Sequence, residues 1–206
     1  MKSWCGYAMF LSVLSLVPIE SLAQGVDVGI AGVALQAIQP PDDTFSGPQV
    51  DGDLGTYAQG FGVGLSAIWP SGLVAGAEFS TARFEGTVSG RQINGGGADQ
   101  GRARAGRMDD SLLVGLIGYA KTAGRMRAAF LGGGGLALNS VTIDDEPWGP
   151  EAPRPLIAGG VDVLYTLGAR AALIVGGRYS LVFRGGNLLM GPHVIRIGAG
   201  LRVRIN

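Results

Sequence analysis

Hydrophobic and polar positions alternate with a period of two along most of this chain, the signature of strands with two unlike faces. The last segment is the clearest. From His193 to Asn206 the odd positions carry His193, Ile195, Ile197, Ala199, Leu201, Val203 and Ile205. The even positions carry Val194, Arg196, Gly198, Gly200, Arg202, Arg204 and Asn206. One face is almost wholly aliphatic, and the other gathers arginine and glycine. The preceding segment sets Leu173, Val175, Tyr179, Leu181 and Phe183 against Arg170, Arg178, Ser180 and Arg184. Upstream, Ile157, Val161, Val163 and Tyr165 alternate with Ala158, Gly160, Asp162 and Thr166. Tyr57, Phe61, Val63, Leu65 and Trp69 alternate with Gly60, Gly62, Gly64 and Ser66, and Leu73, Ala75, Ala77 and Phe79 with Gly76, Glu78 and Ser80. Met126, Phe130, Leu136 and Leu138 oppose Arg125 and Arg127. Residues 26–38 and 111–121 are apolar on both sides, so alternation leaves their facing open.

The pattern predicts eight strands, over 26–38, 55–69, 73–85, 110–121, 125–138, 156–167, 170–183 and 193–205. Helices are disfavoured because glycines interrupt nearly every segment, each at a cost of about 1 kcal/mol. The strands are long: globular strands average about 5–6 residues. A strand of ~13 residues tilted by ~40° rises ~33 Å, enough to cross an apolar band ~25 Å tall. The connections alternate in length. Long ones fall at 39–54, 86–109, 139–155 and 184–192, and short ones at Pro70-Ser71-Gly72, Thr122-Ala123-Gly124 and Gly168-Ala169. The predicted fold is therefore all-β, an eight-stranded antiparallel up-and-down transmembrane β-barrel with short periplasmic turns and longer extracellular loops. Its aliphatic faces meet lipid and its arginines point into the lumen. A soluble barrel has no reason to sort its loops this way.

Composition agrees and narrows the picture. Glycine makes up 37 of 206 residues, without the Gly-X-Y period of collagen. Charged residues are only 16% of the chain, as expected when half of each strand faces hydrocarbon, and 16 basic side chains balance 16 acidic ones. With no basic excess, nucleic acid is not an expected partner. Residues 1–23 read as a signal peptide: Lys2 gives the positive start, Tyr7 to Val17 an apolar run, and Ser21-Leu22-Ala23 a cleavage site before Gln24. The apolar run makes only ~16 Å of helix, too short for a membrane anchor. Cleavage would remove Cys5, leaving the domain 24–206 without cysteine and so without a disulfide.

With a leader ending Ser21-Leu22-Ala23, a dyad repeat and alternating loop lengths, the whole of 24–206 resembles the small eight-stranded outer-membrane barrels. That group includes the membrane domain of outer-membrane protein A and its short relatives in Gram-negative bacteria. The resemblance implies a monomeric protein of the cell outer membrane, exported through a cleaved N-terminal signal peptide. It implies contact with outer-membrane lipid, lipopolysaccharide and the outer-membrane insertion machinery, and no cofactor. Such barrels usually end on an aromatic residue that the machinery reads, whereas this chain ends Arg204-Ile205-Asn206.

Eight strands enclose an interior just wide enough for side chains to fill. The residues expected there are Glu78, Asp162, Arg127, Arg178, Arg196, Arg202 and Arg204. Buried charge must pair or meet water, so these predict a plug of arginine–carboxylate pairs, with some arginines left to lumen water. The alternative is a narrow path for ions or small solutes. If the last two strands pair with even residues opposite, Arg178 faces Gly200 and Arg202 faces Gly176, glycine leaving room for the guanidinium.

A structural or surface-interaction role is expected rather than catalysis. Some barrels of this shape resemble lipid A-modifying acyl hydrolases or acyltransferases, and the deacylases carry His-x-Ser. Here the single histidine, His193, is followed by Val194-Ile195, and Ser180 falls on the opposite face. No metal site is expected: Asp144-Asp145-Glu146 lacks calcium-loop spacing and reads as a solvated acidic loop. Arg102, Arg104 and Arg107, placed by this reading in the second long loop, are candidates for lipopolysaccharide contact, because guanidinium pairs bidentately with phosphate.

Overall fold

The structure, a computed structural model, describes residues 26–38, 51–53, 56–89, 104–147, 153–183 and 190–205. The leader predicted over 1–23 and Arg102 lie outside these. The alternating segments become eight long strands: β1 Asp27–Ile38, β2 Tyr57–Ile68, β3 Leu73–Ser89, β4 Arg104–Ala123, β5 Met126–Ile143, β6 Arg154–Thr166, β7 Ala171–Phe183 and β8 Met190–Arg204. Each pairs antiparallel with its neighbour in sequence, and β1 pairs with β8 from Gly29↔Arg204 to Ile38↔Ile195. That last pairing closes the sheet, so no long strand keeps an open edge. Two short strands, Asp51–Asp53 and Glu146–Pro147, add to β3 and β5 at the long-loop end.

The alternation decides which side of the wall each residue takes. Ile30, Phe61, Ile117, Phe130, Val175, Ile197 and Leu201 are half-exposed or more on the outside, forming a continuous apolar belt. A water-facing surface rarely carries so large a patch. Tyr179 and Tyr57 stand near the top of the belt and Tyr119, Tyr165 and Trp69 near its base, as interfacial aromatics do. The two ambiguous segments settle by register. In β4 the even residues Asp110, Leu112, Val114 and Leu116 turn inward, and in β1 the odd residues Asp27, Gly29 and Leu35 do. Their inner faces are as apolar as their outer ones because the lumen itself contains hydrophobic layers. One packs Leu35, Phe84, Met108, Ile143 and Val194 near the long loops. Another packs Leu112, Val114, Leu156 and Val182. A third packs Ile68, Val74, Ala120 and Ala129 toward the short turns.

Three strands outrun the sequence reading by four residues or more. β3 continues to Ser89, β4 starts at Arg104 and β5 continues to Ile143, so the loops expected over 86–109 and 139–155 are partly strand. Polar residues such as Thr87, Arg107, Asp109 and Thr142 imitated a loop because they project outward above the belt, where they meet water and one another, while Asn139 turns inward against Met108. Arg83 Nε lies 2.7 Å from Asp109 across the β3–β4 ladder, and Ser111 donates to Thr81 at 3.0 Å. Asp144 and Asp145, both with positive φ, form the two-residue turn after β5. Paired positive φ suits a tight hairpin, and aspartate tolerates it. The turn predicted at Pro70-Ser71-Gly72 is closed by a 2.9 Å bond from the Gly72 N–H to the Trp69 carbonyl, with φ of 92° at Gly72.

Candidate functional site

The inward polar residues gather into three clusters along the lumen. At the short-turn end, Asp27 opens β1 and accepts from three arginines. Arg202 Nη1 reaches its Oδ1 at 2.8 Å, while Arg127 Nη1 and Arg204 Nη2 reach its Oδ2 at 2.7 and 2.9 Å. Arg202 also donates to the Ser66 hydroxyl at 3.2 Å. In the middle, Arg178 holds Asp162 with both terminal nitrogens, at 2.7 and 2.8 Å, and lies 3.3 Å from Glu78. Two parallel N–H···O bonds are the strong form of this pairing. Toward the long loops, Arg196 Nη2 donates to Asp110 Oδ2 at 2.6 Å and Arg196 Nη1 to the Ser80 hydroxyl. Here the side chains of Arg196 and Asp110 are 3% and 1% exposed, so neither charge can be satisfied by bulk water.

Every inward residue expected from the sequence therefore stands in a cluster, but two of the four carboxylates were missed. Asp27 and Asp110 lie in or beside the segments whose facing alternation left open. Their signal was phase: Asp110 is in step with Leu112, Val114 and Leu116, and Asp27 with Gly29 and Ala31. Even with these two acids, the inward arginines outnumber the carboxylates as expected, but each named arginine has a carboxylate partner because three of them share Asp27. The expected register of the last two strands is also corrected. Arg178 stands opposite Arg196, and Gly200 and Gly176 oppose Ile174 and Gly198. Like charges tolerate adjacency because each has its own acid: Arg196 reaches across the lumen to Asp110, and Arg178 holds Asp162 on the neighbouring β6. Glycine does make room, for different partners. A Cβ on Gly29 would lie 2.5 Å from Arg202 Cζ, and one on Gly176 would strike Asp162 Oδ1. A cavity of about 90 Å³ lies beside Glu78, Arg178, Arg196 and Arg202, lined otherwise mostly by apolar side chains.

The rim at the long-loop end differs from expectation. Arg104 and Arg107 belong to β4 rather than to a loop. Arg104 Nε lies 3.6 Å from Asp144, and Arg107 lies 2.9 Å from Asp145 and 4.0 Å from Glu85. Asp144 Oδ1 also accepts from the Ala105 N–H at 3.2 Å. The acidic run thus anchors the turn to its neighbour strand. His193 faces outward, where its Nδ1 meets the Tyr179 hydroxyl, while Ser180 is buried on the inner face. The wall of the barrel separates them, so they cannot exchange a proton.

No protein-family model matches the sequence, and no curated protein does. Solved structures match in shape. The attachment invasion locus protein Ail of Yersinia pestis, determined with the heparin analogue sucrose octasulfate, superposes with a TM-score of 0.52 at 11% identity, over 87% of this chain and 99% of that one. Outer membrane protein OprG of Pseudomonas aeruginosa gives 0.51 at 13%, over 88% and 97%. Neisserial surface protein A gives 0.50 at 15%, over 88% and 100%. At such identities the likeness is one of fold, that of the small eight-stranded outer-membrane barrels.

Proposed function

We propose that this chain is an integral outer-membrane barrel with a structural or surface-interaction role, its lumen closed by arginine–carboxylate pairs and apolar layers. The observation that carries the reading is the span of the ion pairs. In a ring of eight strands, β4 and β8, β3 and β7, and β1 and β5 are diametrically opposed. Arg196 on β8 meets Asp110 on β4, Arg178 on β7 lies beside Glu78 on β3, and Asp27 on β1 holds Arg127 on β5. One pair in each cluster thus bridges the full width of the lumen, with hydrophobic layers around it. The apolar belt supports membrane residence, and the shared fold supports the outer membrane as the place.

Planar-bilayer recording tests the closure. The wild-type barrel is expected to show no steady conductance, and the Arg178→Ala/Arg196→Ala double variant to admit small ions. Steady conductance from the wild type would favour the narrow-channel reading instead. Lipopolysaccharide contact at the outer rim remains part of the proposal in reduced form. Arg104 and Arg107 would have to exchange carboxylate partners for phosphate, so their charge reversal is expected to weaken association only modestly.

A further inference from the structure

The short-turn end carries an imbalance that the plug does not require. One carboxylate, Asp27, receives three guanidiniums. Arg202 is the most fully engaged of them: its Nε and Nη2 also donate to the Ser66 hydroxyl at 3.2 Å, the Asp27 carbonyl at 3.2 Å and the Ser66 carbonyl at 3.4 Å. Arg127 and Arg204 are not buried to the same degree, with side chains 23% and 40% exposed. A guanidinium has five N–H donors. Arg127 uses donors on Asp27 and the Thr122 hydroxyl, and Arg204 is paired to Asp27. A cavity of about 280 Å³ adjoins both, bounded also by Lys121, Trp69, Tyr119 and the turn at Ser71. Asp27 is the sole acid lining it among the described residues. The surroundings have the same sign: Lys121, Arg125 and Arg170 are exposed at this end of a chain whose net charge is zero.

We propose that this mouth is a phosphate-binding site, formed by Arg127, Arg204 and Lys121, for a phosphate monoester or diester. Two guanidiniums with spare donors, in a cavity that Lys121 also lines, match the oxygens of a tetrahedral oxyanion, and the excess positive charge favours one over neutral ligands. The ligand source is a phospholipid headgroup of the adjoining leaflet or free phosphate. Trp69 and Tyr119 stand where aromatic side chains meet headgroups.

The test uses the full chain folded in a phosphate-free maltoside detergent. Thermal unfolding is followed in inorganic phosphate and in chloride at equal ionic strength. Phosphate is expected to raise the midpoint of the wild type. Arg204→Gln and Lys121→Gln are each expected to weaken the apparent phosphate affinity about tenfold. Lys121→Gln, at an exposed position, is expected to leave unfolding in chloride unchanged, so loss of binding is separable from misfolding. In a parallel arm, native mass spectrometry follows lipid retained from nanodiscs of phosphatidylglycerol or of an uncharged glycolipid. Retention of phosphatidylglycerol that these substitutions abolish assigns a headgroup. A phosphate effect without lipid retention assigns the free anion. Equal midpoints in phosphate and chloride with no selective retention, or variants that bind like wild type, would overturn the site.

Discussion

At the scale of single residues, the lumen depends on charges that cannot lose one partner. Removing Arg196 leaves Asp110 buried with an unanswered charge, and such truncations cost about 3–5 kcal/mol. Arg196→Ala is therefore expected to shift the urea midpoint in lipid vesicles strongly downward. Replacing both members with leucine is expected to recover most of the loss, since a well-packed apolar pair of similar volume is often no worse than a buried ion pair. A double variant as unstable as the single one would show that the hydrogen bonds, not the orphaned charge, dominate. Gly29 gives a second case. The Arg202 guanidinium is fixed by Asp27 and Ser66, so it cannot withdraw from an added Cβ. Gly29→Ala is expected to cost about 1–3 kcal/mol by overpacking, read by the same unfolding assay.

At the scale of the strand, the two faces answer to different solvents. Val175, near the middle of β7, is exposed on the belt, whereas Arg83 and Asp109 stand above it. A cation at the hydrocarbon midplane costs about 2–4 kcal/mol, falling toward the interface. Val175→Arg is expected to lose that much stability in vesicles, and Arg83→Gln to leave it nearly unchanged because the pair is solvated. Equal effects would mean that the belt does not lie in hydrocarbon. Alternation made these faces legible wherever one was polar or small. It failed in β1 and β4, where Leu35 or Leu112 faces inward as readily as Ile30 or Ile117 faces out. The same limit hid Asp27 and Asp110. It also cut β3, β4 and β5 short, because charges that pair across a ladder in water look, in one dimension, like a loop.

At the scale of the whole barrel, stability rests on closure. β8 bonds to β7 on one side and to β1 on the other, and it carries Arg196, Arg202 and Arg204. A chain ending before Met190 would expose the edges of β1 and β7, strand Asp110 without Arg196, and leave Asp27 with only Arg127 of its three arginines. Such a truncation is expected to lose the compact, heat-modifiable band that folded barrels show in gels. Retention of that band would mean that seven strands close without the eighth.

Strand number, direction, the inside and outside of six strands, and the sorting of turns from loops all follow from the order of residues. Each depends on local facts: a period of two, the spacing of glycine and proline, and the length needed to cross hydrocarbon. The pairings across the lumen do not. Which arginine meets which acid depends on the register of every strand between them, and each strand contributes its own stagger. The single register between β7 and β8 set Arg178 beside Arg196 rather than Gly200, and three arginines converged on Asp27, more than 170 residues from two of them, because of the sum of the staggers around the closed barrel.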